Sequence, residues 1–250
     1  MIKEFMINRR IFSIFNPKKV VGLHVSQDTV DLVVLKSSLG GPKLIKFGQA
    51  YIYPKEAQHS GEIIPEAQAG SVSVARDDLS EKVKTKEEYV IEAIKKVFKE
   101  NNVKPGDVVT AIPSEETMVR YFQMPKIPKQ ERAAAVNFEA KRYIPFRMED
   151  VVSDFQVLPS KVIQNSMDVV FVAVKKNTIE QYLDMLVAAG LRPLIVESVP
   201  FSLMRAFNAA QQIDANVNTA IVSINLDTLN INILRNGVPY IIRDVPLLGI

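Results

Sequence analysis

The chain has 250 residues, 47% apolar and 24% charged, an ordinary globular composition with length enough for one large or two modest domains. A formal net charge of +3 is too small to point to nucleic acid as a partner. The absence of cysteine excludes disulfides and thiolate metal sites, and two histidines, His24 and His59, leave little for a metal centre or a catalytic triad. No apolar run approaches the roughly 18–20 residues of a membrane span.

In chain order, residues 2–15 are interrupted by Lys3, Glu4, Asn8, Arg9 and Arg10, and no small-residue cleavage site follows, so they do not read as a signal peptide. Ile2, Phe5, Phe12 and Phe15 fall on roughly one helical face. Residues 1–17 are therefore read as a tail, either mobile or packed on the domain, with a basic amphipathic helix on an anionic membrane as the alternative. Three apolar, β-branched-rich segments follow at 19–25, 29–36 and 43–53, separated by Ser26-Gln27-Asp28 and by Leu39-Gly40-Gly41-Pro42. They predict an antiparallel meander. Residues 54–85 are polar, carry Gly61, Pro65 and Gly70, and hold no period, which predicts a long surface loop.

Tyr89, Val90, Ala93, Ile94 and Val97 at helical spacing predict a helix over 86–101. Strands are expected at 107–112 and 117–124, and a helix at 129–143 between Pro128 and Pro145. Further strands are expected at 151–158 and 167–175. A helix at 178–189 follows, capped by Asn177 and ended by Gly190, then a strand at 192–196 and a helix at 200–211.

The first hairpin then recurs. His24 aligns with Ser223, Ser26 with Asn225, Asp28-Thr29 with Asp227-Thr228, and Leu35-Lys36 with Leu234-Arg235, without gaps. The turns that follow, at Gly41-Pro42 and Asn236-Gly237, each lead into a third strand. Two three-strand meanders separated by a helix-containing stretch predict a duplicated α/β domain.

Duplicated domains that each open on a β-hairpin are the plan of the actin-like, ribonuclease H-like ATPases, including sugar kinases and the division protein FtsA. Within that group the run from Met124 to Phe146 resembles the PilM family. Its motif Glu-Ala-x-x-Tyr-Ile-Pro-Phe is matched by Glu139, Ala140, Tyr143, Ile144, Pro145 and Phe146. Asp154-Phe155-Gln156-Val157, Ala189-Gly190-Leu191, Leu234-Arg235-Asn236-Gly237 and Arg243-Asp244-Val245-Pro246 also fit. The resemblance implies an FtsA-like protein on the cytoplasmic face of the inner membrane that binds the N-terminal tail of the membrane protein PilN. It also implies that the second half is incomplete, as in a fragment or a truncated variant. The expected organisation is a tail at 1–17 and a first actin-like domain at 18–212, with an inserted subdomain near 117–174 and the loop 54–85. The start of a second domain is expected at 213–250.

In actin-like ATPases each hairpin carries Asp-x-Gly, the carboxylate acting on magnesium and water and the glycine letting backbone N–H groups approach phosphate. This chain has His24-Val25-Ser26 and Ser223-Ile224-Asn225 there, so all four positions, His24, Ser26, Ser223 and Asn225, are degenerate. Asp28 and Asp227 are read as hairpin-turn residues rather than displaced metal ligands. His24 has no carboxylate in its own strand to orient it. The expected function, given the resemblance, is therefore non-enzymatic scaffolding in a type IV pilus or related secretion machine, with no catalytic residue, metal or cofactor. The alternative is a nucleotide-binding actin-like ATPase of this type, using ATP and magnesium at an atypical site. A sugar-kinase-like phosphotransferase is excluded by the missing Asp base and glycine loops. For the partner, Tyr143, Ile144, Pro145 and Phe146 are the candidate contacts, with Arg120 and Arg142 beside them; a helix stop plugging the core is the competing reading. The membrane surface, through residues 1–17, is the second candidate partner.

Overall fold

The computed structural model describes residues 19–38, 41–53, 84–158, 165–214, 216–225 and 228–247. The tail 1–17, almost all of the loop 54–85, and Asp227 lie outside them. The first meander forms as the β-branched segments and their turns predict, with β1 (Lys19–Val25), β2 (Thr29–Lys36) and β3 (Lys43–Tyr51) antiparallel. Leu23, Val25, Val30, Leu32 and Ala50 alternate onto one buried face. Helix α1 (Lys86–Glu100) covers that face. Thr85 and Glu88 close its first turn as a capping box, and Val90, Ala93, Ile94, Val97 and Phe98 form its buried stripe. Each of the larger of these side chains contributes about 1.5–3 kcal/mol by leaving water.

Strand β4 (Asp107–Ile112) pairs parallel with β1. An insertion follows: β5 (Met118–Pro125), α2 (Arg132–Ala140), β6 (Val151–Leu158) and β7 (Ser166–Lys175). Its strands make a separate antiparallel sheet of order β5-β7-β6, and α2 packs Val136 and Ala140 on Phe122, Val169 and Phe171. Helix α2 is shorter than predicted. Pro128 begins a turn closed by Glu131 N–H, and the N–H of Tyr143 bonds to the Ala140 carbonyl just before Pro145.

The chain returns through α3 (Lys176–Ala188) to β8 (Arg192–Ser198), which pairs parallel with β4 and completes the order β3-β2-β1-β4-β8. Asn177 lies inside the first turn of α3 instead of capping it, while Gly190 leaves the helix at φ +85° as predicted. Helix α4 (Val199–Ala209) then leads to the second meander, β9 (Thr219–Ile224), β10 (Thr228–Arg235) and β11 (Val238–Pro246). Asn236 and Gly237, both at positive φ, make its tight second turn.

The repeat is geometric as well as textual. The Ser26 N–H bonds to the Thr29 carbonyl at 2.9 Å, and the Asn225 N–H to the Thr228 carbonyl at 2.9 Å. A register slip falls between Val34 and Leu35 in one copy and between Ile233 and Leu234 in the other, which are aligned positions. The copies bury opposite faces, however. In the second, Ile221, Asn230, Asn232, Leu234 and Ile242 are buried. Val222, Ile224 and Val245, which align with the α1-covered Leu23, Val25 and Ala50, are exposed.

Candidate functional site

The first hairpin turn is closed on itself. The Ser26 hydroxyl accepts the N–H groups of Thr29 (3.0 Å) and Asp28 (3.3 Å) and reaches the Thr29 carbonyl at 3.1 Å. Asp28 sits in this turn, and its carbonyl accepts the Ile52 N–H at 2.7 Å. Two backbone donors of the turn, the N–H groups of Asp28 and Thr29, are thus bonded to a side chain of the loop itself.

His24 faces a carboxylate after all, on the neighbouring strand. Its Nδ1 is 3.6 Å from Asp31 Oδ2, and Asp31 Oδ1 accepts a 2.7 Å bond from Gln49 Nε2. Register makes this row: Gln49 opposes Asp31, Asp31 opposes His24, His24 opposes Ala111, and Ala111 opposes Glu197. Burial pushes the Glu197 carboxyl up, against the opposing pull of Arg205 (2.7 Å) and of the Ser202 hydroxyl (2.8 Å). In the second meander Asn230, aligned with Asp31, donates to Asp244 Oδ1 at 2.7 Å, and the same oxygen accepts the Ser114 hydroxyl at 2.7 Å. Ser223 opposes Asn230 across β9 and β10, and the Asn225 N–H closes the turn onto the Thr228 carbonyl.

The segment 143–146 divides between core and surface. Ile144 is 7% exposed and packs with Phe122, Val136 and Phe171, which corrects its expected role as a contact residue. Tyr143 is 38% exposed and stacked on Phe122 with centroids 5.0 Å apart. Its hydroxyl reaches Glu139 at 3.3 Å, and its carbonyl accepts Arg120 Nε at 2.9 Å. Pro145 is exposed and Phe146 half-buried, with Lys175 Nζ 4.7 Å over the ring. Arg142 is exposed and bonded to Glu139 at 3.0 Å.

Arg120 lies on β5, an edge strand of the inserted sheet. Desolvation first, and Arg243 of β11 second, lower its pKa from the usual arginine value, so two cations share one neighbourhood. The insertion packs Val119, Val170 and Val172 in one cluster with Ile242 of β11, so these contacts run to the second meander. Phe138, 71% exposed on α2, was missed by the sequence reading. The signal was available: it projects from α2 well away from the direction of Val136 and Ala140.

The strand order β3-β2-β1-β4-β8 with a repeated meander and an insertion after β4 defines an actin-like fold. The family model described as "Type IV pilus assembly protein PilM" matches residues 48–249, and the chain belongs to that family. Among solved structures, the chain is similar to a PilM-PilN type IV pilus biogenesis complex, at TM-score 0.71 and 24% identity. That match covers 92% of this chain and 62% of the other, so the chain spans less than two thirds of that protein's length. It is also similar to the cytoplasmic domain of EpsL, an inner membrane component of the type II secretion system of Vibrio cholerae. There the TM-score is 0.51 and the identity 15%, covering 91% of this chain and 71% of the other.

Proposed function

We propose that this protein is a non-enzymatic cytoplasmic scaffold of pilus assembly, peripheral to the inner membrane, that captures the N-terminal tail of a PilN-like membrane protein. The observation that carries the reading is that β5 ends the inserted sheet, its outer edge unpaired among the described strands, beside the 143–146 corner. An extended tail needs main-chain pairing for affinity and shallow apolar pockets for register. The edge of β5 offers the first, and the exposed faces of Tyr143, Pro145 and Phe146 offer apolar contact for the second. Arg120, bonded to the Tyr143 carbonyl, and Arg142, paired with Glu139, each keep further N–H donors for an acidic or carbonyl group of the tail. Family membership and the likeness to a PilM-PilN complex support the choice of partner. The closed Ser26 turn supports the non-enzymatic half, because a phosphate would have to displace an internal hydroxyl without gaining a magnesium carboxylate at His24.

The test is calorimetric titration with a synthetic N-terminal peptide of the PilN-like partner. The expected affinity is on the order of micromolar, because a tail that orders on binding loses entropy. Tyr143→Ala and Phe146→Ala should each weaken it about tenfold with unfolding still cooperative. Absence of binding by the unaltered chain sinks the reading; loss of cooperative unfolding in the variants sinks the site. ATP with magnesium should give no heat, and micromolar binding abolished by His24→Ala would restore the ATPase alternative.

A further inference from the structure

The face of the first sheet that α1 leaves open is apolar at the end where β1 begins. Register sets Val20, Leu35 and Leu44 in one row across β1, β2 and β3, and Gly22, Val33 and Phe47 in the next. Residues directly opposite share a face of the sheet. Leu44 is 58% exposed and Phe47 60%, so the two rows form an open apolar surface rather than scattered side chains. Gly22 lies in the middle of it. A Cβ there would meet nothing closer than 3.8 Å, and its φ is not positive, so neither crowding nor strain among the described residues calls for glycine. Glycine inside a strand weakens it, and often marks the place where another backbone comes close.

A segment of suitable character is joined to this end of β1. Residues 2–15 carry Ile2, Phe5, Phe12 and Phe15 on roughly one helical face, and Asn16-Pro17 after them is a turn signal. Residues 16–18 then lead into Lys19, a connection of ordinary length between a helix and a strand. Consecutive elements are usually neighbours in space, and α1 already fills the other face. A helix over 2–15 would be about 21 Å long, and β1, at seven residues, runs about 23 Å. We propose that residues 2–15 form an amphipathic helix that lies back along β1 over Gly22, with its phenylalanines on Leu35, Leu44 and Phe47. Asp31, the carboxylate on this face of the meander, then meets a segment with Lys3, Arg9 and Arg10 against one Glu4. Placed so, the tail completes the first domain and is not spare to anchor on a membrane.

The chain has no tryptophan, so Phe47→Trp in the full chain is a lone fluorescent reporter of this face. Ile224→Trp, on the outward face of the second meander, is the control. Adding Phe5→Ser, Phe12→Ser and Phe15→Ser together should move the Phe47→Trp emission to longer wavelength and leave the control unchanged. Adding Gly22→Val should do the same with unfolding still cooperative, because the sheet has room for the side chain and the helix above it does not. A Phe47→Trp emission indifferent to either change overturns the proposal. So does a shift to shorter wavelength that appears only as concentration rises, which assigns the face to a second copy. One that appears only with phosphatidylglycerol vesicles overturns it in favour of a membrane. The chain also lacks cysteine, so a short bis-maleimide has only Phe12→Cys and Leu44→Cys to join in the double variant. It should bridge them within one chain; failure to bridge, or bridging between chains, overturns the proposal even if the glycine variant does not fold.

Discussion

Asn232 in β10 stands where Val33 stands in β2, and the two side chains enter opposite environments. Val33 is half-buried on the face of the first meander that α1 does not cover, whereas Asn232 is fully buried and its Nδ2 donates to the Pro200 carbonyl at 3.0 Å. Pro200 opens α4. The second meander is thus fastened to the first domain through the face that the first meander leaves outward. Asn230, two residues earlier on the same face, bonds to Asp244, which also accepts the hydroxyl of Ser114 after β4.

Asn232→Ala removes the side-chain donor to the Pro200 carbonyl and leaves a void at a fully buried position. The expected cost is about 1–3 kcal/mol, read from urea unfolding. Asn208→Ala, on the exposed side of α4, is the control and should cost far less. An Asn232→Ala midpoint equal to that of the unaltered chain would show that the amide bond does not fasten the meander.

Gly48 is held by a close approach. A Cβ there would run into the side chain of Asn101, the residue that ends α1 and bonds to the Val97 carbonyl. Gly48→Ala should destabilise the chain by about 1–3 kcal/mol through overpacking. Adding Asn101→Gly should recover much of that loss. A double variant as unstable as the sum of the two single changes would contradict the stated cause.

Glu197 sets a pH dependence of definite sign. Its folded pKa is raised from the ordinary 4.5, chiefly by burial. Between the unfolded and folded values the folded chain holds more protons, so this group's stabilising contribution is present at lower pH and lost as pH rises through the folded pKa. Glu197→Gln should flatten that decline. Thermal unfolding followed upward from about pH 4.5 measures it, and a Gln variant with an unchanged slope refutes the assignment.

The Tyr182 hydroxyl ties α3 to β4, bonding to Thr110 Oγ1 at 2.6 Å and to the Ala111 carbonyl at 3.1 Å. Burial pushes its pKa up to about 12, although the Thr110 bond opposes the shift. Tyr182→Phe keeps the ring in the core and removes both bonds, at an expected cost of about 1–3 kcal/mol. In ultraviolet titration the tyrosine signal lost in the variant should be one that ionises well above the ordinary range.

The meander, α1 and the repeat were legible because they rest on local signals: β-branched runs bounded by turn residues, a 3.6-residue stripe and aligned turns. The Asp28 turn was legible for the same reason. What stayed hidden depends on register. Nothing near His24 in sequence announces Asp31 as its neighbour, and Val20, Leu35 and Leu44 meet only once three strands have paired. Ile144 shows the converse limit. Its motif suggested a surface contact, but only the packing of α2 on β5 and β7 decides which side chains of the corner turn inward.

The outward face of the second meander has a consequence for handling this polypeptide. Val222, Ile224 and Val245 stand beside one another on paired strands, with Leu229 and Ile231 half-buried between them. Such a contiguous apolar surface is adhesive in water. Preparations of these 250 residues should therefore scatter light increasingly with concentration, clear on addition of mild detergent, and gain solubility from Val222→Lys or Ile224→Lys at little cost in folding, since both side chains already face solvent.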